Sequence, residues 1–278
     1  MKLFFLPALV LTAAVAVAQP KIVTQAVIST TTNVIAPEDE DVAQVQNQGG
    51  GGGMSFRNFG DGETKSTTYI KNDMVKTNFK SETFRGSVFR NNAAKTTITV
   101  FEIMGNKQGI SATDDDQAAM RKKADSMMQE RTKTDTNMQR RTRNVSPDVT
   151  VAYTDESKKI AGYNCKKAYI ITDKLIRKDS MAVWYTPDVK FPNVSSTGGT
   201  SGFGNMGGPN SFDKIDGFVM QYERKMPRGR LMEVKVTKIE TGEEVKDKEF
   251  EIPKDVEIKS MKEMSEQGGG MMRMMRPQ

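Results

Sequence analysis

The residues best suited to hold a metal are four methionines near the end of the chain, Met271, Met272, Met274 and Met275. Thioethers are soft donors of the kind that suit Cu(I). Arg273 and Arg276 stand among them and oppose a bound cation, and no histidine or cysteine is near to assist. Histidine is absent from the whole chain, and the one cysteine is Cys165. Without an imidazole there is no Ser-His-Asp or Cys-His catalysis, no histidine zinc site and no haem-ligating histidine. One cysteine makes no internal disulfide and no cysteine-only metal site. The sequence therefore implies no cofactor and no metal site, with Cu(I) binding by the tail as the weakest alternative.

Other patterns that carry enzyme chemistry also fall short. Gly199-Thr200-Ser201-Gly202-Phe203 sets a serine among glycines but misses the G-x-S-x-G elbow and has no base. The glycines at 49–53 are followed by Met54-Ser55-Phe56 rather than GK[ST], so they form no phosphate cradle. Carboxylates cluster at 38–41 and at Asp114, Asp115 and Asp116. The first cluster reads as a solvated loop and the second as a helix N-terminus. A glycosidase-type carboxylate pair meets only in three dimensions, and the sequence leaves one open. No enzymatic activity is expected. Lys and Arg number 41 against 35 Asp and Glu, a net charge of +6. Residues 114–143 mix eight basic with six acidic side chains, a solvated helix face rather than a phosphate-binding stripe, so no nucleic-acid partner is expected.

The start of the chain addresses location. Lys2 precedes an uncharged apolar run over 3–18 that ends in Ala16-Val17-Ala18, the small-x-small pattern of a signal peptide. No cysteine stands at the cleavage position, so lipid attachment there is not expected. Nothing later is apolar enough to span a bilayer. These features predict a periplasmic or secreted protein without a transmembrane segment. In an oxidising compartment Cys165 is either buried or available to another chain, and its strand-like surroundings favour an inert buried thiol.

Apolar residues make up 36% of the chain and mean hydropathy is −0.56, enough for one core. Residues 21–35 are rich in Val, Ile and Thr, whose branched side chains favour a pleated surface. Short strand patterns follow at 67–71 and 74–79 around the turn pair Asn72-Asp73, then at 87–90 and 96–104. The second half adds 149–154, 165–172, 180–186, 218–224 and 230–240. Met232, Val234 and Val236 alternate with Glu233 and Lys235, and Phe218, Met220 and Tyr222 with Gln221 and Glu223. Alternation of this kind marks an antiparallel sheet with one buried face. Residues 114–143 hold no Gly or Pro and carry Met120, Ala124, Met127 and Met138 at helical spacing, with Thr113 and Asp114 as caps. Loops are expected at 36–66 and 187–216, and a disordered Met-rich tail at 263–278. The domain plan is a signal peptide at 1–18 and a single β domain at 19–262.

Several stretches together resemble a known exported family. Ile160-Ala161-Gly162-Tyr163-Asn164-Cys165-Lys166-Lys167 is similar to the IAGYxCKK run of the bacterial domain-of-unknown-function family 4412. Three further stretches follow the same pattern in order. They are Tyr69-Ile70-Lys71-Asn72-Asp73-Met74-Val75-Lys76-Thr77, Val183-Trp184-Tyr185-Thr186-Pro187 and Phe250-Glu251-Ile252-Pro253. The GFVMQY run at 217–222 is similar to a segment of that family and of the related GLPGLI proteins, without their proline. The resemblance implies a LolA/LolB-like fold, a mainly β chain with one helical insertion whose antiparallel sheet curls into an open half-barrel. No catalytic residue is carried over by it. A curled sheet with an apolar concave face must fill that face with side chains, a helix or a ligand. The candidate lining residues are Trp184, Phe218, Met220, Tyr222, Met232, Val234 and Val236 from strands, with Met120 and Met127 from the helix. The expected partner is a hydrophobic ligand such as a lipid or acyl chain. The alternative is a cell-envelope protein bound by a module whose core is self-filled.

Overall fold

The structure, a computed structural model, describes residues 20–36, 62–126 apart from 83, 104, 121, 124 and 125, 148–192 apart from 175 and 176, 194, 211–226 and 229–266. Its strands in chain order are β1 (Lys21–Ile22), β2 (Gln25–Ile35), β3 (Gly62–Lys71), β4 (Met74–Lys80), β5 (Phe84–Asn91), β6 (Thr96–Ile103) and β7 (Asn106–Thr113). There follow β8 (Asp148–Ile160), β9 (Tyr163–Lys174), β10 (Arg177–Thr186), β11 (Val189–Lys190), β12 (Phe218–Lys225), β13 (Leu231–Glu240) and β14 (Ile258–Ser260). Twelve of these form one large curled sheet in the order β14-β7-β6-β5-β4-β3-β2-β13-β12-β10-β9-β8, which does not close into a barrel. Only the β14–β7 pair within it is parallel. β1 and β11 make a separate two-stranded parallel pair.

Local sequence explains the meander. Asn72-Asp73 joins β3 to β4, and Asn72 holds a φ of +52°. Ala161 and Gly162 join β8 to β9 at φ +49° and +86°. Positive φ at both central residues is the turn whose twist matches the flanking strands. In the middle of the sheet β2 lies between β3 and β13 and is thus the strand shared by an N-terminal and a C-terminal meander.

The loop expected at 36–66 ends earlier than the sequence suggests, because β3 begins at Gly62. Of its inward positions Ser66, Thr68 and Ile70, the first two are not hydrocarbons, so no apolar alternation announces the start of the strand. The two hydroxyls are paired, as burial demands. Ser66 Oγ donates to the Thr30 carbonyl at 3.4 Å, and the Thr68 and Thr77 hydroxyls lie 3.0 Å apart. The expected loop at 187–216 is tied at both ends. β11 is followed by buried Phe191 and Val194, and a short 3-10 turn, Ser211–Lys214, buries Phe212 with Ile215 behind it. Nor does the tail begin at 263, since Met261–Glu266 is helical. Ser260 and Glu263 cap that turn reciprocally: the Glu263 amide donates to Ser260 Oγ at 3.1 Å, and the Ser260 amide to Glu263 Oε2 at 2.9 Å. The run at 1–18 read as a signal peptide, the glycines at 49–53 and the tail methionines lie outside the described residues.

The helix starts where the caps predict, with 114–120, 122, 123 and 126 helical. Thr113 and Asp116 exchange the same reciprocal bonds, at 3.0 and 3.1 Å. Asp114 accepts both arms of the Arg90 guanidinium, which holds its carboxyl below the usual range and fixes the helix start to β5. On β4 to β6, Gly86 lies opposite Phe79 and Phe101. A Cβ there would come within 2.5 Å of both Phe79 Cζ and the Val100 carbonyl. Gly86→Ala is accordingly expected to lower stability by about 1–3 kcal/mol, the range for overpacking a closed site. The midpoint of a urea unfolding curve measures it.

Candidate functional site

The candidate ligand residues fall into two apolar clusters rather than around one cavity. Phe218, Met220 and Val236 belong to the first, with Ala26, Ile28, Ile70, Cys165 and Phe191. Tyr222 and Val234 belong to the second, with Val183, Tyr185, Val219, Phe212 and Ile215, and Met232 packs against it half-buried. The division has a local cause. Tyr185 pairs with Val219 but Trp184 pairs with Gln221, so Met220 is an extra residue in β12. A bulge interrupts the alternation of side chains on the two faces. The simple alternation of Phe218, Met220 and Tyr222 read from the sequence is broken there.

Both clusters are closely filled. Phe218, Met220, Tyr222, Val234 and Val236 keep only 1–7% of their surface. The Phe218 ring meets Phe191 edge-on at 4.8 Å, and the Tyr222 ring meets Phe212 at 4.9 Å. Burial pushes the Tyr222 phenol up to about 12. Phe191, Phe212 and Ile215 come from the segment expected to be a loop. Their signal was present as apolar residues alternating over 189–191 and spaced by three at 212 and 215.

Trp184 is half-buried and packs against the first cluster. Lys158 Nζ lies 4.1 Å from its ring centroid and donates to Gln221 Oε1 at 2.7 Å. Gln221 Nε2 donates in turn to Glu233 Oε1 at 2.9 Å. Lys167, 5.7 Å from the same ring, bonds both Glu156 oxygens at 3.0 Å. Burial and the nearby Lys235 lower the Lys158 pKa, whereas the indole face favours its charged form. Trp184 thus anchors a polar network rather than an apolar pocket. Met120 stands 48% exposed on the helix, and Met127 lies outside the described residues. Among the described residues no group of three or more Cys, Asp and Glu is placed to hold a metal.

Two further places could take a ligand. On β4 to β7, cross-strand pairing sets Phe79 beside Gly86 and Gly86 beside Phe101, while one row away Val88 is paired with Thr99 and Thr99 with Ile110. Val88 and Phe101 in this apolar stretch are half-buried. The second is a cleft of about 370 Å³ between residues 21–25 and 241–244. Gln25 lines it, and the Gln25 Oε1 oxygen is buried without a hydrogen-bond partner.

Cys165 lies on β9 with no exposed surface, and its Sγ donates to the Tyr163 carbonyl at 3.6 Å. Burial pushes the thiol up to about 11. The neutral thiol therefore contributes stability fully below its ordinary value near 9, and the contribution is lost as pH rises through 11. Iodoacetamide at pH 8 is expected to leave Cys165 unmodified in the native protein and to alkylate it in 6 M guanidinium, as mass spectrometry of the intact chain would register.

No curated protein matches this chain. Among solved structures, PNGF-II in space group C2 overlays at a TM-score of 0.39 and 15% identity, covering 87% of this chain and 32% of its own. The same protein in space group P21 gives 0.37 and 16%, covering 90% and 33%. The chain thus spans about a third of the length of those structures, and likeness at this level supports no inference about its fold or activity. The run at 160–167, the hairpin at 69–77 and the strand at 183–187 all lie inside the stretch 58–256 that matches the family model described as "Domain of unknown function (DUF4412)", and this chain belongs to that family.

Proposed function

We propose that this is an exported, non-catalytic binding protein whose LolA/LolB-like half-barrel is filled by its own side chains and which engages an envelope partner through its surface. The closeness of packing in the two clusters supports this reading most directly. Side chains that line an open cavity keep accessible surface on the cavity wall, and Met220, Phe218 and Val236 keep at most 4%. The apolar run at 3–18 supports export. The lack of histidine, which removes imidazole-based catalysis, supports a binding role.

A second reading keeps the hydrophobic ligand but moves it. The half-buried Val88 and Phe101 on β5 and β6 favour it, because that stretch lies apart from both filled clusters. A lipid or acyl chain would then lie along β4 to β7 rather than against Trp184 or Tyr222.

Native mass spectrometry of protein released gently from its own envelope, followed by lipid extraction, separates the two. The self-filled reading expects the mass of the bare chain, and a stoichiometric apolar ligand overturns it. Met220→Ala is expected to cost about 2–5 kcal/mol by opening a cavity in a packed core. A thermal or urea unfolding curve measures that cost, and a loss below about 1 kcal/mol would mean that Met220 is not part of a closed core.

A further inference from the structure

We propose that the outer edge of β1, with the cleft beside it, receives an extended basic peptide segment from a partner protein as an added strand. The inference rests on the reading that this protein acts through its surface, and it assigns the place and chemistry of the contact. In the parallel pair, Lys21 and Val23 donate to the carbonyls of Asp188 and Lys190, both at 2.9 Å. Alternation along a parallel ladder turns the intervening Ile22 N–H and C=O to the other side, away from β11. No described strand pairs with β1 on that side. An edge with free backbone groups is a template for a further strand.

Three features beside that edge suit one kind of occupant. Ile22 is 68% exposed, the most exposed of the large apolar side chains among the described residues, and offers a hydrocarbon contact to an incoming strand. Gln25 lines the cleft with its Oε1 buried and without a donor, a deficit that turning the amide outward onto a bound N–H would remove. Glu243 and Glu244 line the opposite wall against a single cation, Lys21. Glu244 reaches Lys71 only at 3.5 Å, while Lys71 bonds Asp247 more closely at 2.7 Å. A donor-rich side chain between two carboxylates is what lysine or arginine supplies. The volume of about 370 Å³ suits a few residues of chain rather than a folded surface.

The test uses the full chain and two fluorescein-labelled, end-capped hexapeptides, one alternating Val and Lys and the other Val and Glu. Fluorescence anisotropy at 50 mM salt is expected to show saturable binding of the Val-Lys peptide, at least about tenfold tighter than the Val-Glu peptide. Ile22→Pro removes the outward donor while leaving the two donors to β11 in place, and is expected to weaken binding about tenfold. Gln25→Met tests the same site without touching β1. It is expected to weaken binding several-fold while leaving the melting temperature unchanged or raised, since it deletes an unsatisfied buried oxygen. Glu243→Gln with Glu244→Gln is expected to abolish the preference for the basic peptide. Equal binding of the two peptides, or unchanged binding by both Ile22→Pro and Gln25→Met, overturns the proposal. A lipid retained by the native protein would overturn the self-filled core and leave this contact standing, so the two failures are distinguishable.

Discussion

Register is the constraint on which the rest of this molecule depends. In a sheet, a slip of one residue moves every side chain of a strand to the opposite face. Here the register of each meander is pinned by turns too short to slip, Asn72-Asp73 in the first and Ala161-Gly162 in the second. From the first turn the pairing sets Ile70 beside Val75, with Ala26 on its other side, and from the second it sets Cys165 beside Lys158; past a shift in β8, Ala168 stands between Tyr153 and Val183. The buried faces follow. The register shifts between Tyr153 and Ser157, between Val236 and Lys238 and at Met220, and the last of these divides one apolar stretch between two clusters and places aromatic rings against both.

The chain fills its interior with modest means. Among the described residues the buried polar side chains are hydroxyls, Thr30, Ser66, Thr68, Thr77 and Thr186. A buried hydroxyl without a partner is costly, so such a core requires the pairs seen between Thr68 and Thr77 and between Ser66 and Thr30. Threonine gives up hydrocarbon for a group that must be matched across the strand. The gain is directional, since a hydroxyl pair specifies which residues stand opposite each other and a methyl group does not.

The same residues decide how much could be read beforehand. The strands with hydrocarbon alternation, at 232–236 and 218–222, were legible, as were the hairpin at 72–73 and the start of the helix at Asp114. The membership of the chain in its family was legible too, from the ordered stretches around Gly162, Trp184 and Pro253. β3 was legible only in its second half, because Thr64 and Ser66 look like loop residues until their partners are known. β7 was missed because Gly109 and the polar residues around it break any apolar alternation, and the stretch read as one strand over 21–35 is divided into β1 and β2. β1, β11 and β14 were not legible as separate strands for another reason. They are two or three residues long, and their pairing comes from strands distant in sequence rather than from any local pattern. The candidate lining residues were correctly apolar, but a bulge has no signature in alternation alone. The cleft at Gln25 was missed because an orphaned oxygen is a property of surroundings, not of a residue.

The position of β2 carries a consequence for how the molecule is assembled in time. β3 to β7 and β8 to β10 are built from hairpins that close locally, and such contacts form early. β2 pairs with β13 across some two hundred residues, Ile28 opposite Ile239, and β1 meets β11 across nearly as many. Loop closure on that scale is slow and comes late. The first long strand to leave the ribosome is therefore the keystone of the sheet and among the last to be fully seated. Until β13 arrives, one edge of β2 stands open, its branched side chains exposed to whatever other strand is near. A chain built this way does best if its whole length is present before the middle of the sheet closes.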